Sequence, residues 1–348
     1  MRSTGLNQAT GSVNINSSLA TINQTMTKDE ESIDGEPQYV QPPLIPQVYP
    51  WLLISHGKQL QRHTFFSCIE NRYHTRIVPY LRDKLVLRCC FGWLILEDEE
   101  TDDCHLFNPV SMENIQLPLL ESFDRVTSAL LSGPPGDSNC HVLFIGSPNR
   151  LAFCRLGDDN FVEQSSVFGE DSLSTVTVMN GKMYGLMMQS HALVTLDFVG
   201  PTILLRHIIK DGSPFQLPCP LPPENSFYDK YLIESSGELL FVFKIYSAPG
   251  NYTVAYFKVF RVNTSEIVCE EVKNLGDQVV FLNHHYGMTC SIQEPGIRRN
   301  SIYFAELFDR NLYVYNMENR SQSVKLPCPI AKRKARLSWV MPLLPSSS

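Results

Sequence analysis

At 348 residues, 43% hydrophobic and 10% aromatic, the chain carries enough apolar material for one large β domain or two ordinary ones. Its net charge of −7 excludes a broad phosphate-binding surface, so nucleic acid is not an expected partner. The longest apolar runs, such as Leu239 to Phe243, fall far short of the roughly 20 residues of a spanning helix, so no membrane contact is expected.

Residues 1 to about 37 are rich in Ser, Thr, Asn and Gln and show no helical stripe; a disordered polar tail is expected over 1–42. No basic-then-apolar leader opens the chain, so its ten cysteines read as reduced, buried thiols. Cytoplasm or nucleus is the expected compartment. The first 28 residues lack Asp and Glu, which keeps an organellar address open as the alternative.

From about residue 43 to 345 the texture becomes short β-branched, aromatic and aliphatic runs, broken every ten or so residues by Gly, Pro, Asn or Asp. The segments "PWLLISHG" (50–57), "HTFFSCIEN" (63–71) and "TRIVPY" (75–80) come first. Five clusters of strand candidates follow, over 85–117, 126–164, 173–208, 231–272 and 279–326, and "RLSWVMP" (336–342) comes last. Leu-Pro pairs at 117–118, 217–218 and 326–327 each close a cluster. They stand 100 and 109 residues apart, two clusters per interval, which gives the period of about 50 at which propeller blades repeat. Strands at "HLFNP" (105–109), "LVTLDF" (193–198), "FKVFRVN" (257–263) and "LYVYNM" (312–317) each end near Asn or Asp, residues that favour turns. The expected fold is therefore all-β: one β-propeller of about six blades. Its last blade joins strands from both chain ends, with Trp339 as a core anchor, because that arrangement covers otherwise open strand edges.

Chemistry is harder to find. The repeated "LPCP" at 217–220 and 326–329 suggests paired cysteines, but the chain has no C-x-x-C, and Cys89-Cys90 are adjacent, so neither a metal nor a cofactor is expected. On a strand, neighbouring side chains point to opposite faces, which separates Cys89 from Cys90. "EDEETDD" (97–103) reads as a solvated hairpin loop and does not match a calcium loop. "KRKAR" (332–336) reads as an exposed linker, and His284-His285-Tyr286 as a surface loop. No phosphate loop, nucleophile elbow or H-E-x-x-H motif is present, so no catalytic residue is assigned.

At "CCFGWLILED" (89–98) and "LFNPVSMENIQLP" (106–118) the sequence resembles the plant F-box-associated propeller family, domain of unknown function 295, also called the KIB-type β-propeller. "PWLLI" (50–54), "KYLIESSGELLFVFK" (230–244), "NLGDQVVFL" (274–282), "PGIRRNSIYF" (295–304) and "LSWVMP" (337–342) continue the likeness in order over about 43–342. The resemblance implies a kelch-like propeller and marks Trp51, Gly92, Trp93, Asn108, Pro109, Gly276, Asp277, Asn300, Tyr303 and Trp339 as motif positions, read as turn and core residues. Asn108-Pro109 suits the first two positions of a type I turn. It also implies a non-enzymatic, monomeric interaction module holding a protein partner on one face, as in substrate receptors of ubiquitin ligases. Residues 1–37 do not supply the helical F-box of those receptors, which puts a Skp1-type adaptor in question. Two other readings stay open: a propeller hydrolase or lyase with carboxylates in a central pocket, and an organellar or inactive relative keeping only the fold.

Overall fold

The computed structural model describes residues 49–341, apart from 102, 121–124, 148–149, 166, 218–226, 249–250, 285, 294, 306–310 and 327–334. The polar tail, Cys219, Cys328, His285 and most of "KRKAR" lie outside the described residues.

Six sheets form the blades. Blade one joins Arg336–Val340, Trp51–His56, Arg62–Ser67 and Arg72–Arg76, in that order from the inside outward. Blade two runs Lys84–Cys90, Trp93–Asp98, Cys104–Phe107 and Asn114–Gln116; blade three runs Arg125–Leu131, His141–Ser147, Arg150–Arg155 and Val162–Ser165. Blade four is built from Asp171–Met179, Lys182–Met187, Leu193–Val199 and Thr202–His207, with the short Val167–Phe168 beside its first strand. Blade five holds Tyr228–Ser235, Glu238–Ala248, Asn251–Asn263 and Val268–Glu271. The fold expected from the sequence is the fold observed, including closure by both chain ends: Leu52 pairs with Trp339 and Leu53 with Ser338.

Burial grades along each blade for a simple reason. Second strands are covered by neighbouring blades on both faces and are mostly apolar, as in the fully buried Trp51–His56, whose first four residues are Trp-Leu-Leu-Ile. Fourth strands face water and alternate, as in the exposed Asn114–Gln116. Between the blades lie five apolar clusters: one shared by blades one and two around Phe65, Leu94 and Phe107, one by blades two to four around Phe144 and Leu151, one by blades four and five around Phe241 and Phe243, one by five and six around Phe257 and Phe304, and one by six and one around Phe281 and Trp339.

Turns repeat with the blades. Phe91-Gly92, Asn180-Gly181 and Ser236-Gly237 have positive φ at both positions and join first to second strands as two-residue hairpins, the geometry that matches strand twist. In blades two, five and six an Asn closes the strand next to the outermost one. The Asn108 carboxamide accepts from the Val110 and Ser111 amides at 2.9 and 3.1 Å, and Asn263 and Asn316 accept equivalently from the turns that follow them. The turn after Asn108 is wider than the type I turn expected from Asn-Pro: the Met112 amide closes it on the Asn108 carbonyl.

Blade six departs from a plain meander. Its sheet order is Gly287–Ser291, Gln278–Leu282, Ser301–Ala305, Leu312–Asn316 and Gln322–Leu326, with Gln278–Leu282 parallel to Ser301–Ala305. The chain enters in second place, doubles back as the inner strand, then steps past its own entry point through residues 292–300.

Candidate functional site

An up-and-down blade puts its second-to-third-strand loops and its blade-to-blade connections at the same end, so these loops form one face of the ring. Among the described residues ten large hydrophobics are exposed, and six of them (Ile77, Tyr80, Leu119, Met188, Ile209 and Phe227) sit in loops or connections of this face. The other four divide between opposite-face turns, Phe91 and Val199, and outer strands, Leu204 and Val324.

These loops are held in place by hydrogen bonds. Tyr80 stacks on Phe107 with ring centroids 5.4 Å apart, while Ile77 beside it is 70% exposed. The Glu99 amide donates to the Asp83 carbonyl at 2.9 Å, which brings the acidic loop against this apolar pair. That loop is more tied than its sequence suggests: Lys84 pairs with Asp98 at 2.6 Å and Arg336 with Glu99 at 3.4 Å. Partial burial pushes the Asp98 carboxyl up, but the Lys84 ammonium and the Glu100 and Thr101 amides outweigh it, and its pKa lies below the usual range. Across the face, Asp171 accepts from the Gln189 and Ser190 amides, both at 2.9 Å, and from the Ser190 hydroxyl at 2.6 Å. Burial opposes ionisation there too, yet these donors hold Asp171 at about 2. Lys230 donates to the Met188 carbonyl at 2.7 Å, so Met188 stands exposed on a loop fixed from both sides.

The motif positions fall elsewhere. Gly276, Asp277, Asn300 and Tyr303 meet at the crossing in blade six. Asn300 has φ 51°; its amide donates to the Gln278 carbonyl at 3.2 Å and its carboxamide oxygen accepts from the Leu275 amide at 2.8 Å. Asp277 receives the Ile292 amide on its carbonyl and the Ser291 hydroxyl on its carboxylate, and the Tyr303 hydroxyl accepts from the Arg298 amide at 2.9 Å. Gly276, at φ 68°, donates its amide to Asn274. Trp339 is buried against Phe281 with ring centroids 4.8 Å apart, and Trp51 is buried between blades one and two. Gly92 lies in a hairpin turn, Trp93 is half-buried against the large cluster of blades two to four, and Asn108-Pro109 is buried at the end of a third strand.

Sequence reasoning missed the centre of the ring. Inner strands of blades two, three and four each carry a bulge just before a buried polar residue: Arg88, Ser128 and Thr175. A bulge re-aims the side chain that follows it. Arg88 Nη1 donates to the carbonyls of Val176 at 3.0 Å and Ala129 at 3.4 Å, on two other blades, and its guanidinium lies 5.8 Å from the Tyr286 ring. The Tyr286 hydroxyl donates to the Trp339 carbonyl at 2.8 Å. Tyr286 is thus interior and not part of a surface loop; four blades meet around one cation, and Tyr286 links a fifth to them. Among the described residues no carboxylate pairs with Arg88.

Cys89 and Cys90 do face different clusters, with the Cys89 thiol bonded to the Met341 backbone at the end of the closing strand. Burial raises both thiols, Cys89 to about 12, which keeps it protonated and unreactive. Eight described cysteines are free. Among the described residues no cluster of His, Cys, Asp and Glu is arranged to hold a metal, and no helix is long and apolar enough to cross a membrane.

The match to a family profile agrees with this architecture. An F-box/kelch-repeat protein of Arabidopsis thaliana, At1g57790, is 24% identical over 74% of this chain and 71% of its own length. F-box protein KIB3 from the same plant is 25% identical over 74% of this chain, and the match spans 60% of its own length. A chain of the nidogen/laminin complex overlays with a TM-score of 0.46 at 8% identity, covering 85% of this chain and 100% of that one. The profile of the KIB1-4 beta-propeller matches residues 65–316, from the third strand of the closing blade to the end of Leu312–Asn316 in blade six, and the chain belongs to that family.

Proposed function

We propose that the chain is a non-enzymatic interaction module of cytoplasm or nucleus, a monomer whose propeller domain spans 43–345 and whose loop face holds a protein partner. The observation that carries this reading is the gathering on that face of six of the ten large hydrophobic residues exposed among the described residues. Rigid loops support it, since an ordered surface loses little entropy on binding. The ten motif positions are read as serving the fold and not the partner, because none lies among these exposed loop residues. F-box relatives suggest that the partner is a ubiquitination substrate or regulator. A central arginine bonded to backbone carbonyls, in place of opposed carboxylates, weighs against a hydrolase or lyase.

Affinity capture from plant cell extract, with the tagged full chain and its Met188→Asp variant side by side, tests the reading. A protein retained by the native chain and lost from the variant is the expected result. Equal retention by both would overturn the loop-face assignment, and recovery of a Skp1-like adaptor with a cullin would place the chain in a ubiquitin ligase.

A further inference from the structure

Arg88 keeps 6% of its surface exposed at the middle of the ring, and its charge has no opposite charge beside it. Its guanidinium carries N–H donors on three nitrogens. Those of Nη1 go to the Val176 and Ala129 carbonyls. Among the described residues no oxygen accepts from Nε or Nη2, and the Cys90 sulfur, a weak acceptor, stands within reach of the guanidinium. The titratable neighbours are neutral. Burial raises the thiols of Cys89 and Cys90 and the Tyr286 phenol, so none of them ionises to offset the charge. The face of the Tyr286 ring, 5.8 Å away, attracts a cation weakly and does not replace a counter-ion.

Ser128 adds a second unmatched donor. It is 4% exposed, and its hydroxyl has no hydrogen-bond partner, which is costly for a buried polar group. In blade three it holds the place that Arg88 holds in blade two and Thr175 in blade four, directly after the bulge of the inner strand. Equivalent bulges in successive blades aim equivalent side chains the same way, and the bonds of Arg88 show that this way leads to the inner-strand carbonyls of blades three and four. The Ala129 carbonyl, one of those two, belongs to the residue that follows Ser128. Arg88, Ser128 and Thr175 are each more than nine-tenths buried, so water screens little of the field between them.

A fixed cation with donors to spare, next to a buried hydroxyl without a partner and neutral neighbours, is a set of groups that calls for an anion. We propose that Arg88 and Ser128 hold a small inorganic monoanion of the size of chloride at the centre of the ring. Arg88 donates from Nε and Nη2 and Ser128 from its hydroxyl, with Thr175 beside them. One cation offsets one negative charge, so a buried dianion would keep an unpaired charge and is disfavoured. The narrow exposure of Arg88 shuts out larger organic anions. Bound there, the ion joins the inner strands of blades two, three and four. The site uses none of the exposed loop residues, so its failure and that of the partner-binding reading are separable.

Urea denaturation of the full chain at constant ionic strength, with chloride exchanged for gluconate, tests this. Raising chloride from about 10 to about 300 mM should increase the folded-to-unfolded ratio about tenfold, because an ion that binds the folded state alone stabilises it by mass action. Arg88→Met should lose this gain, and general salt effects, which both chains share, cancel in the comparison. Ser128→Ala should be as stable as the native chain in gluconate, because it deletes a hydroxyl that has no partner, yet lose most of the chloride gain. The line width of the chloride nuclear resonance reads the ion directly: the native chain should broaden it, and Ser128→Ala should broaden it less. A chloride gain as large in Arg88→Met as in the native chain, or a gain and a line width unchanged in Ser128→Ala, overturns the proposal.

Discussion

Trp339 donates its indole N–H to the Leu282 carbonyl at 3.0 Å, and this bond fastens the last strand of the chain to blade six. The same residue receives the Tyr286 hydroxyl on its own carbonyl, so two bonds tie it to blade six. Trp339→Ala should cost about 3–5 kcal/mol by the usual loss for a buried aromatic. Trp339→Phe, which keeps most of the packing and drops the hydrogen bond, should cost about 1–2 kcal/mol. Urea denaturation measures both; a midpoint unmoved in Trp339→Ala would mean that the ring does not depend on this seam.

Arg88 makes a different prediction. Truncation to Ala leaves a cavity and two carbonyls without their donor, and should destabilise by about 2–4 kcal/mol. Arg88→Met fills most of the volume and removes a buried charge that has no carboxylate beside it, so its cost should be smaller by about 1 kcal/mol or more. Equal losses for the two variants would show that packing at this point counts for little.

The strands were legible in the sequence because burial of second strands on both faces writes continuous apolar runs, as in "PWLLI" and "QVVFL", and because Gly or Asn marks most hairpins. Closure was legible because the end segments "PWLLI" and "LSWVMP" had no blade of their own. Arg88 was not, since in "LVLRCC" it looks like an ordinary outward residue; only the one-residue slip against Ile95 turns it inward, and a slip belongs to the pairing of two strands. Tyr286 was hidden for a related reason. Its segment reads as a loop after "QVVFL", and nothing local tells that the next strand, Gly287–Ser291, becomes the innermost of its blade. The loop face was hidden because exposure is decided by what fails to cover Ile77 or Met188.

His63 gives a pH test. It is fully buried, accepts the Val78 amide on Nδ1 and donates from Nε2 to the Leu81 carbonyl at 3.1 Å. Burial lowers its pKa from 6.5 to about 4, so the folded state holds the neutral ring. The folded protein therefore binds fewer protons than the unfolded chain between these values. The contribution is fully present above about pH 6.5 and is lost as pH falls toward about 4. His191, lowered to about 4 by burial and then by Lys230, acts in the same direction. Asp171 and Asp98 are lowered below their usual 3.8 and change only under more acid conditions. Stability should fall by a few kcal/mol between about pH 7 and pH 5, and His63→Gln should flatten part of that slope. A slope unchanged in His63→Gln would show that the ring is not held neutral.

Gly296 joins the crossing loop of blade six to the closing blade. It has φ 117°, and a Cβ there would lie 2.8 Å from the Ile69 carbonyl oxygen. Gly296→Ala should cost about 2 kcal/mol or more through backbone strain and the clash together. A melting temperature equal to that of the native protein would mean that the loop does not rest on Ile69 in solution.

The central claim, that one face of the ring engages a protein, is tested most directly by two paired variants of the full chain in the same capture experiment. One carries Ile77→Asp with Tyr80→Asp on the loop face; the other carries Leu204→Asp with Val324→Asp on outer strands, where two exposed residues are removed from a different surface. The account predicts that the first variant loses the retained partner while the second keeps it, both melting as the native chain does. Retention by the loop-face pair and loss from the outer-strand pair would contradict it.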